Sequence, residues 1–326
     1  MVTHDVLALD ATAAAALIEE RIRDQVLGTL RRRGAVVGLS GGIDSSVVAT
    51  LCVRALGAGR VLGLLMPERD SSADALRLGR LLGEQLGITL VVEDIAPVLA
   101  AAGCYARQDE AIRAVFPEYG DGYRCKVTLP SILEGHRFNL SELTIESPSG
   151  ERRTARMPLQ PYLQLVAATN FKQRTRAMLE YYHADRLNYA VAGTPNRLEY
   201  DQGFFVKHGD GAADLKPIAH LYKTQVYALA AHLGVPEEIR RRPPTTDTFS
   251  MPQSQEEFYF ALPYQKMDLC LYGRNHGVPA AEMAEASGLT PEQVERVYRD
   301  IDQKRRTTAY LHLKPLLVEP VPEVGA

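Results

Sequence analysis

The sequence predicts an α/β fold, a doubly wound parallel sheet flanked by helices, with an inserted β-hairpin. Short apolar runs of strand length alternate with helical stripes over the first ninety or so residues, as in successive βαβ units. One run, Val36-Val37-Gly38, passes straight into a glycine turn at the head of a helix, the place where open α/β sheets bind their ligands. Between about Cys104 and Gln160 the alternation breaks. There two strand-like runs flank Ser147-Pro148-Ser149-Gly150, with Pro and Gly where a hairpin turn needs them.

Each element has a local reason. Leu17, Ile18, Ile22, Val26 and Leu30 form one stripe, which predicts an amphipathic helix from about Ala11 to Arg33. The helix after the first strand should run to about Leu56 and stop at Gly57, and Val61 to Met66 follows as a buried strand. Ser71 or Ser72 can cap the next helix, whose stripe of Leu76, Leu78, Leu82 and Leu86 ends at Gly87, and Thr89 to Val92 is a third strand. Asn139 to Glu146 and Arg152 to Met157 are the arms of the hairpin, which spans about 137–158. Its alternating pattern and its arginines Arg152, Arg153 and Arg156 suit a flap or dimer-edge element or a tolerated surface insertion, not part of the core. Beyond it come a helix over Tyr162 to Tyr182, a strand over Leu187 to Ala192 and a helix over Lys223 to Leu233. Thr290-Pro291-Glu292-Gln293 is a capping box opening a late helix to about Lys304. The expected division is a main domain over 1–275 and a helical tail over 276–326.

The chemistry begins in the turn Gly38-Leu39-Ser40-Gly41-Gly42-Ile43-Asp44-Ser45-Ser46. Free N–H groups of the turn and helix start converge on one point, Gly41 and Gly42 let an anion approach the main chain, and three serines offer hydroxyls. Asp44 would repel a phosphate unless a cation lay between them, so its presence implies Mg2+ bridging it to a polyphosphate. A bare Gly-Gly here would be a structural turn; the whole hexapeptide behind an apolar strand shifts the reading to phosphate. It resembles the Ser-Gly-Gly-x-Asp-Ser pyrophosphate loop of the ATP pyrophosphatases and so implies their adenine nucleotide alpha-hydrolase-like fold.

A second informative stretch runs from Gly193 to Lys223. Glu199, Lys207, Asp210 and Lys223 lie within it among glycines and aromatics, and each taken singly also reads as a solvated loop charge. Together with Asn170-Phe171-Lys172-Gln173-Arg174-Thr175-Arg176, Gly193-Thr194, Gly203-Phe204-Phe205, Gly209-Asp210-Gly211, Asp214 and Pro244-Thr245 through Asp247, the loop resembles the NAD synthetase family from about Leu17 to Gly273. The resemblance implies adenylation of deamido-NAD by ATP with release of pyrophosphate, then attack of ammonia to give NAD and AMP. It implies that Gly38 to Ser46, Thr194, Lys223 and Thr245 hold ATP, and that Asp44 and Glu199 hold Mg2+. Arg174, Lys207, Asp214 and Lys304 would position deamido-NAD. Asp44 and Lys223 would stabilise the developing charge, and Asp210 or Asp214 would accept the ammonium proton. Pro195-Asn196-Arg197-Leu198 departs from the Asp-His-Ala-Ala usual in ammonia-using bacterial members and is closer to the form of glutamine-using relatives. Two other readings stay open: an amide ligase acting on another carboxylate, and an RNA-modifying pyrophosphatase.

Composition narrows the remainder. The net charge is -3 with no long basic tract, so an extended nucleic-acid surface is not expected, and no run of about eighteen apolar residues suggests a membrane span. Cys52, Cys104, Cys125 and Cys270 lack metal-ligand spacing, which suits a reduced, cytoplasmic protein. None has a recognisable catalytic setting, so ammonia is the expected direct donor, with a homodimer and a separate glutaminase partner as possible assemblies.

Overall fold

The structure is a computed structural model that describes residues 3–133, 141–246 and 248–324. Four parallel strands form the central sheet: β1 (Ala35–Gly38), β2 (Val61–Leu65), β3 (Thr89–Val92) and β7 (Ala190–Val191), in the order β3-β2-β1-β7. Registry pairs Val36 with Leu62 and with Val191, and Gly63 with Leu90. Both faces are covered, as the continuous apolar strands require. Ala35 and Val37 point into one core with α1 (Ala11–Arg23), α2 (Ile43–Leu56) and α8 (Lys223–His232). Val36, Leu62 and Leu64 point into the other, built with α4 (Ala96–Ala101), α5 (Cys104–Arg113) and the 29-residue α6 (Leu159–Leu187). This two-residue alternation places a helix layer on each side of the carboxyl ends of the strands.

The predicted caps appear. Ser72 accepts from Ala75 N to open α3 (Ala73–Leu86), and Gly87 closes it with a left-handed φ of 64°. Thr290 and Gln293 form the capping box of α12 (Pro291–Thr308). Two boundaries differ. α1 stops at Arg23 and gives way to a wider π turn over Asp24–Thr29, and Arg31 then takes a φ of 52°, so the stripe to Leu30 is not one continuous helix. α6 runs on to Leu187, where Asn188 caps it in the left-handed region, leaving only Ala190–Val191 as strand.

The hairpin departs most from expectation. Its arms are β5 (Glu142–Glu146) and β6 (Arg152–Arg156), joined where expected, while residues 137–140 of the expected span lie outside the described residues. A third strand, β4 (Arg124–Thr128), pairs antiparallel with β5. Leu143 and Ile145 are fully buried with Cys125, Val127, Leu165 and Phe249. β5 is therefore the middle strand of a sheet packed on α6. The expectation of a flap or surface insertion fails for it because the apolar face of its alternation is covered. The alternation of β4 was present in the sequence, but its partner lies beyond a long connection, with Thr128 set opposite Glu142, and no short hairpin turn fixes that register.

At the other end α10 (Tyr264–Asn275), α11 (Ala280–Ser287) and α12 share one apolar cluster with Leu198 of α7 (Arg197–Gln202) and with Phe260. α9 (Glu237–Arg241) lies beside α2 and α8. No helix among the described residues is long and apolar enough to cross a membrane.

Candidate active site

β1 delivers the glycine turn to the carboxyl edge of the sheet, and α2 starts with its N–H groups facing outward from it. The two glycines do different work. Gly41 has a φ of 71°, and a Cβ there would lie 2.5 Å from the backbone oxygen of Ala75, so glycine is required by the approach of α3. A Cβ on Gly42 would meet only Ser40 Oγ, at 3.2 Å, so this residue borders open space. The three serines also separate. Ser45 and Ser46 are both buried and both hydroxyls donate to Gly42 O, at 3.0 and 2.8 Å, but Ser40 and Ser45 line a cavity and Ser46 does not. Leu39 and Ile43 are core residues, and Leu39 also borders the inner cavity.

Asp44 is the hub of a buried ionic cluster. Lys223, at the start of α8 and 2% exposed, donates Nζ to Asp44 Oδ2, while Asn196 Nδ2 donates to Asp44 Oδ1 at 3.0 Å. Asn196 is also the N-cap of α7. Its Oδ1 accepts from Glu199 N at 3.3 Å, and its own N–H donates to Glu199 Oε2 at 3.0 Å. Gln255 Nε2 donates to the other oxygen, Glu199 Oε1, at 3.0 Å. One asparagine thus ties both predicted metal carboxylates together. Burial, and then the charge of Asp44, pushes Glu199 up to about 8. Burial opposes the charge on Lys223, but Asp44 and then Glu199 outweigh it and hold the ammonium above its usual range. α8 itself is fixed by Asp268 of α10, whose two oxygens accept from Lys223 N at 3.2 Å and Thr224 N at 2.7 Å.

Asp44 and Glu199 fit Mg2+. Hard oxygen donors suit it, a dication would offset the burial and the Asp44 charge that raise the pKa of Glu199, and Mg2+ is commonly held by one or two carboxylates plus water and phosphate oxygens. No group of three or more His, Cys, Asp and Glu that could hold a metal ion occurs among the described residues, so protein ligands alone would not complete the shell.

Two cavities meet at this cluster and share Ser40, Gln173, Arg176, Thr194, Asp210 and Thr246. The inner one, about 170 Å³, lies between α3 and α6 with an apolar end at Leu64, Leu65, Met66 and Leu76. The outer one, about 360 Å³, reaches Asp44, Glu199 and Thr245 and is walled by Tyr162, Phe204, Phe205, Phe258 and Tyr259. Phe204 stacks on Tyr259 with ring centres 4.6 Å apart. Lys172 on α6 is buried and binds Glu68 Oε1, Asp70 Oδ2 and Thr248 O at 2.7 to 2.9 Å, which fastens the loop after β2 to the chain beside Thr246. Asp210 accepts from Val206 N at 2.7 Å; the protein packed around its carboxyl raises its pKa, and hydrogen bonds from the backbone, Val206 N first, with the charge of Arg176 limit the rise.

Of the four residues expected to hold the acceptor, Arg174 and Lys207 are in contact. Arg174 is exposed on α6 and donates to Lys207 O, and Lys207 Nζ binds Tyr310 O and Leu313 O. Asp214 accepts from Val191 N, and Lys304 is held by Asp300 and by Tyr259 O. None of the four lines either cavity. Sequence reasoning missed the functions of Asn196, Lys172 and Gln255. Asn196 carried a legible signal, because Asn-Arg-Leu-Glu is a capping-box pattern; Lys172 and Gln255 gain their partners only through tertiary contacts.

The NAD synthase family profile matches residues 15–115 and 138–308. The NH(3)-dependent NAD(+) synthetase of Mesorhizobium japonicum is 66% identical over 95% of this chain and 98% of its own length. That of Rhizobium meliloti is 60% identical over 98% and 96%. The structure of the NH3-dependent NAD synthetase of Campylobacter jejuni superposes with a TM-score of 0.61 at 23% identity, covering 95% of this chain and all of that one, and so shares its fold. On the profile match and these identities, the chain belongs to the NAD synthase family.

Proposed function

We propose that this protein makes NAD from deamido-NAD, ATP and ammonia through an adenylated intermediate, releasing pyrophosphate and AMP. The observation that carries the reading is the Asp44–Lys223–Asn196–Glu199 cluster, set beside a phosphate-type loop where a cavity with an apolar end opens into an aromatic-walled one. A relative described as an NH(3)-dependent NAD(+) synthetase, identical to this chain at about two positions in three, supports it.

In this reading the phosphates of ATP lie against Ser40, Gly42 and the first N–H groups of α2, with Lys223 and Thr245 beside them and Thr194 next to the adenylate. The nicotinate carboxylate attacks the α-phosphorus and pyrophosphate leaves; the nitrogen of ammonia then attacks the acyl carbon and AMP leaves. Both steps gather negative charge, so preorganised cations and N–H donors lower the barrier more than a base does. Mg2+, held by Asp44 and Glu199, would supply further neutralisation of the phosphates. Asp210 borders both cavities and is the carboxylate placed to take the proton that ammonium must lose. Arg174, Lys207, Asp214 and Lys304 would serve deamido-NAD only where it extends beyond the cavities, as at the face of a homodimer. A cytoplasmic site of action, a main domain over 1–275 with a tail over 276–326, and a separate glutaminase that docks to deliver ammonia belong to the same proposal.

The test is to supply the purified chain with ATP, Mg2+ and deamido-NAD, with either ammonium or ammonia-free glutamine, from about pH 7 to about pH 9. Ammonium should support NAD formation that rises with pH, and glutamine none. All four cysteines are buried, as a chain with no glutaminase nucleophile allows. Glutamine-dependent turnover by the lone chain, or no adenylation of deamido-NAD, would overturn the proposal.

A further inference from the structure

Glu180 lies outside the ionic cluster and has no role so far. It projects from α6 against the carboxyl end of β1, so closely that a Cβ on Gly38 would stand 2.4 Å from Glu180 Oε1. The absence of a side chain at Gly38 makes room for this carboxyl. Glu180 lines the inner cavity, and among the described residues it has neither a hydrogen bond nor a close ion pair, although Asp210 and Arg176 act on it electrostatically. A polar group without a protein partner in a ligand cavity is one whose partner arrives with the ligand.

The position in the cavity identifies what arrives. The phosphate loop begins at Ser40, and the apolar end at Leu64, Leu65, Met66 and Leu76 suits a purine ring. The sugar that joins purine to phosphate must then cross between them, over Gly38, where Glu180 waits. Ribose hydroxyls are donors and acceptors at once, and a carboxyl is a common partner for them in nucleotide-binding α/β folds. We propose that Glu180 binds a ribose hydroxyl of ATP and makes the inner cavity selective for ribonucleotides; this rests on the reading of that cavity as the nucleotide site. Burial, and secondarily Asp210, raises the pKa of Glu180 well above the usual carboxylate range. A protonated carboxyl can donate as well as accept and does not repel the neighbouring phosphates.

The experiment compares ATP, 2′-deoxy-ATP and 3′-deoxy-ATP as substrates of the wild type, Glu180→Ala, Glu180→Gln and Glu180→Asp, reading pyrophosphate release and the KM of each substrate. The wild type should prefer ATP over at least one deoxy analogue by more than about tenfold, since a site built to bond a hydroxyl rejects the analogue lacking it. Glu180→Ala should raise the KM for ATP about tenfold and bring the preference to within about twofold, with the KM values of deamido-NAD and ammonium unchanged. Glu180→Gln, which keeps a donor and an acceptor, should retain most of the preference. If Glu180→Ala fails to fold, Glu180→Asp withdraws the carboxyl from Gly38 and should lose the preference alone. Undiminished discrimination in the variants, or a defect confined to ammonium, would overturn this proposal while normal pyrophosphate release upholds the nucleotide reading. Absence of pyrophosphate release in the wild type would overturn both.

Discussion

Asn196 binds Asp44 through its amide nitrogen and caps α7 through its amide oxygen, so two substitutions separate the tasks. Asn196→Ala loses both. A hydrogen bond to a charged group contributes about 1.5 to 3 kcal/mol and a helix N-cap about 1 kcal/mol, so the Ala variant should lose about 2.5 to 4 kcal/mol of stability. Asn196→Asp keeps the cap, because Asp caps as well as Asn, but sets a carboxylate oxygen where Nδ2 stood, 3.0 Å from Asp44 Oδ1. Two unit charges about 3 Å apart at an effective dielectric constant of about 20 repel by about 5 kcal/mol, an upper limit that the cluster escapes by binding a proton. The Asp variant keeps the cap and should therefore be impaired through the charge of the site, working worse than the Ala variant. Pyrophosphate release with saturating deamido-NAD should fall about tenfold in Asn196→Ala and about a hundredfold or more in Asn196→Asp. Pyrophosphate release by Asn196→Asp within about threefold of wild type would refute the claim that Asn196 sets the charge state of the site.

Lys172→Met should cost about 3 to 5 kcal/mol, because it leaves Glu68 and Asp70 buried without their cation; adding Glu68→Gln and Asp70→Asn should recover part of that in urea unfolding, and no recovery would mean that the loss is one of packing. Asp268 gives a pH signature. Burial raises its pKa to about 6, above its unfolded value, so the native state binds the proton more tightly and wild-type stability should fall as pH rises from about 4 to about 6, by at most about 1.4 kcal/mol per unit. Asp268→Asn should lack that slope and, by turning a donor toward Lys223 N or Thr224 N, lose about 1 to 3 kcal/mol at neutral pH; parallel urea midpoints for the two proteins across that range would show that Asp268 is not the titrating group.

The local code of the chain determined a good deal. Apolar runs, Ser72, Gly87 and Thr290 act over a few residues, so the βαβ order and the helix starts were legible from spacing alone. The strand, glycine turn and helix start over Gly38 to Ser46 were legible for the same reason, as the three are contiguous. Tertiary structure decided what contiguity cannot reach. β4 pairs with β5 across a long connection, which turned the expected hairpin into the buried centre of a three-stranded sheet. Gly41 is glycine because Ala75 approaches it, and Gly38 because Glu180 does. Above all, a lone charge reads as solvated until its neighbours are known: Asn196 and Lys223 stand 152 and 179 residues from Asp44 along the chain, and only folding makes one ionic cluster of the three, because burial removes the water that would otherwise screen each from the others.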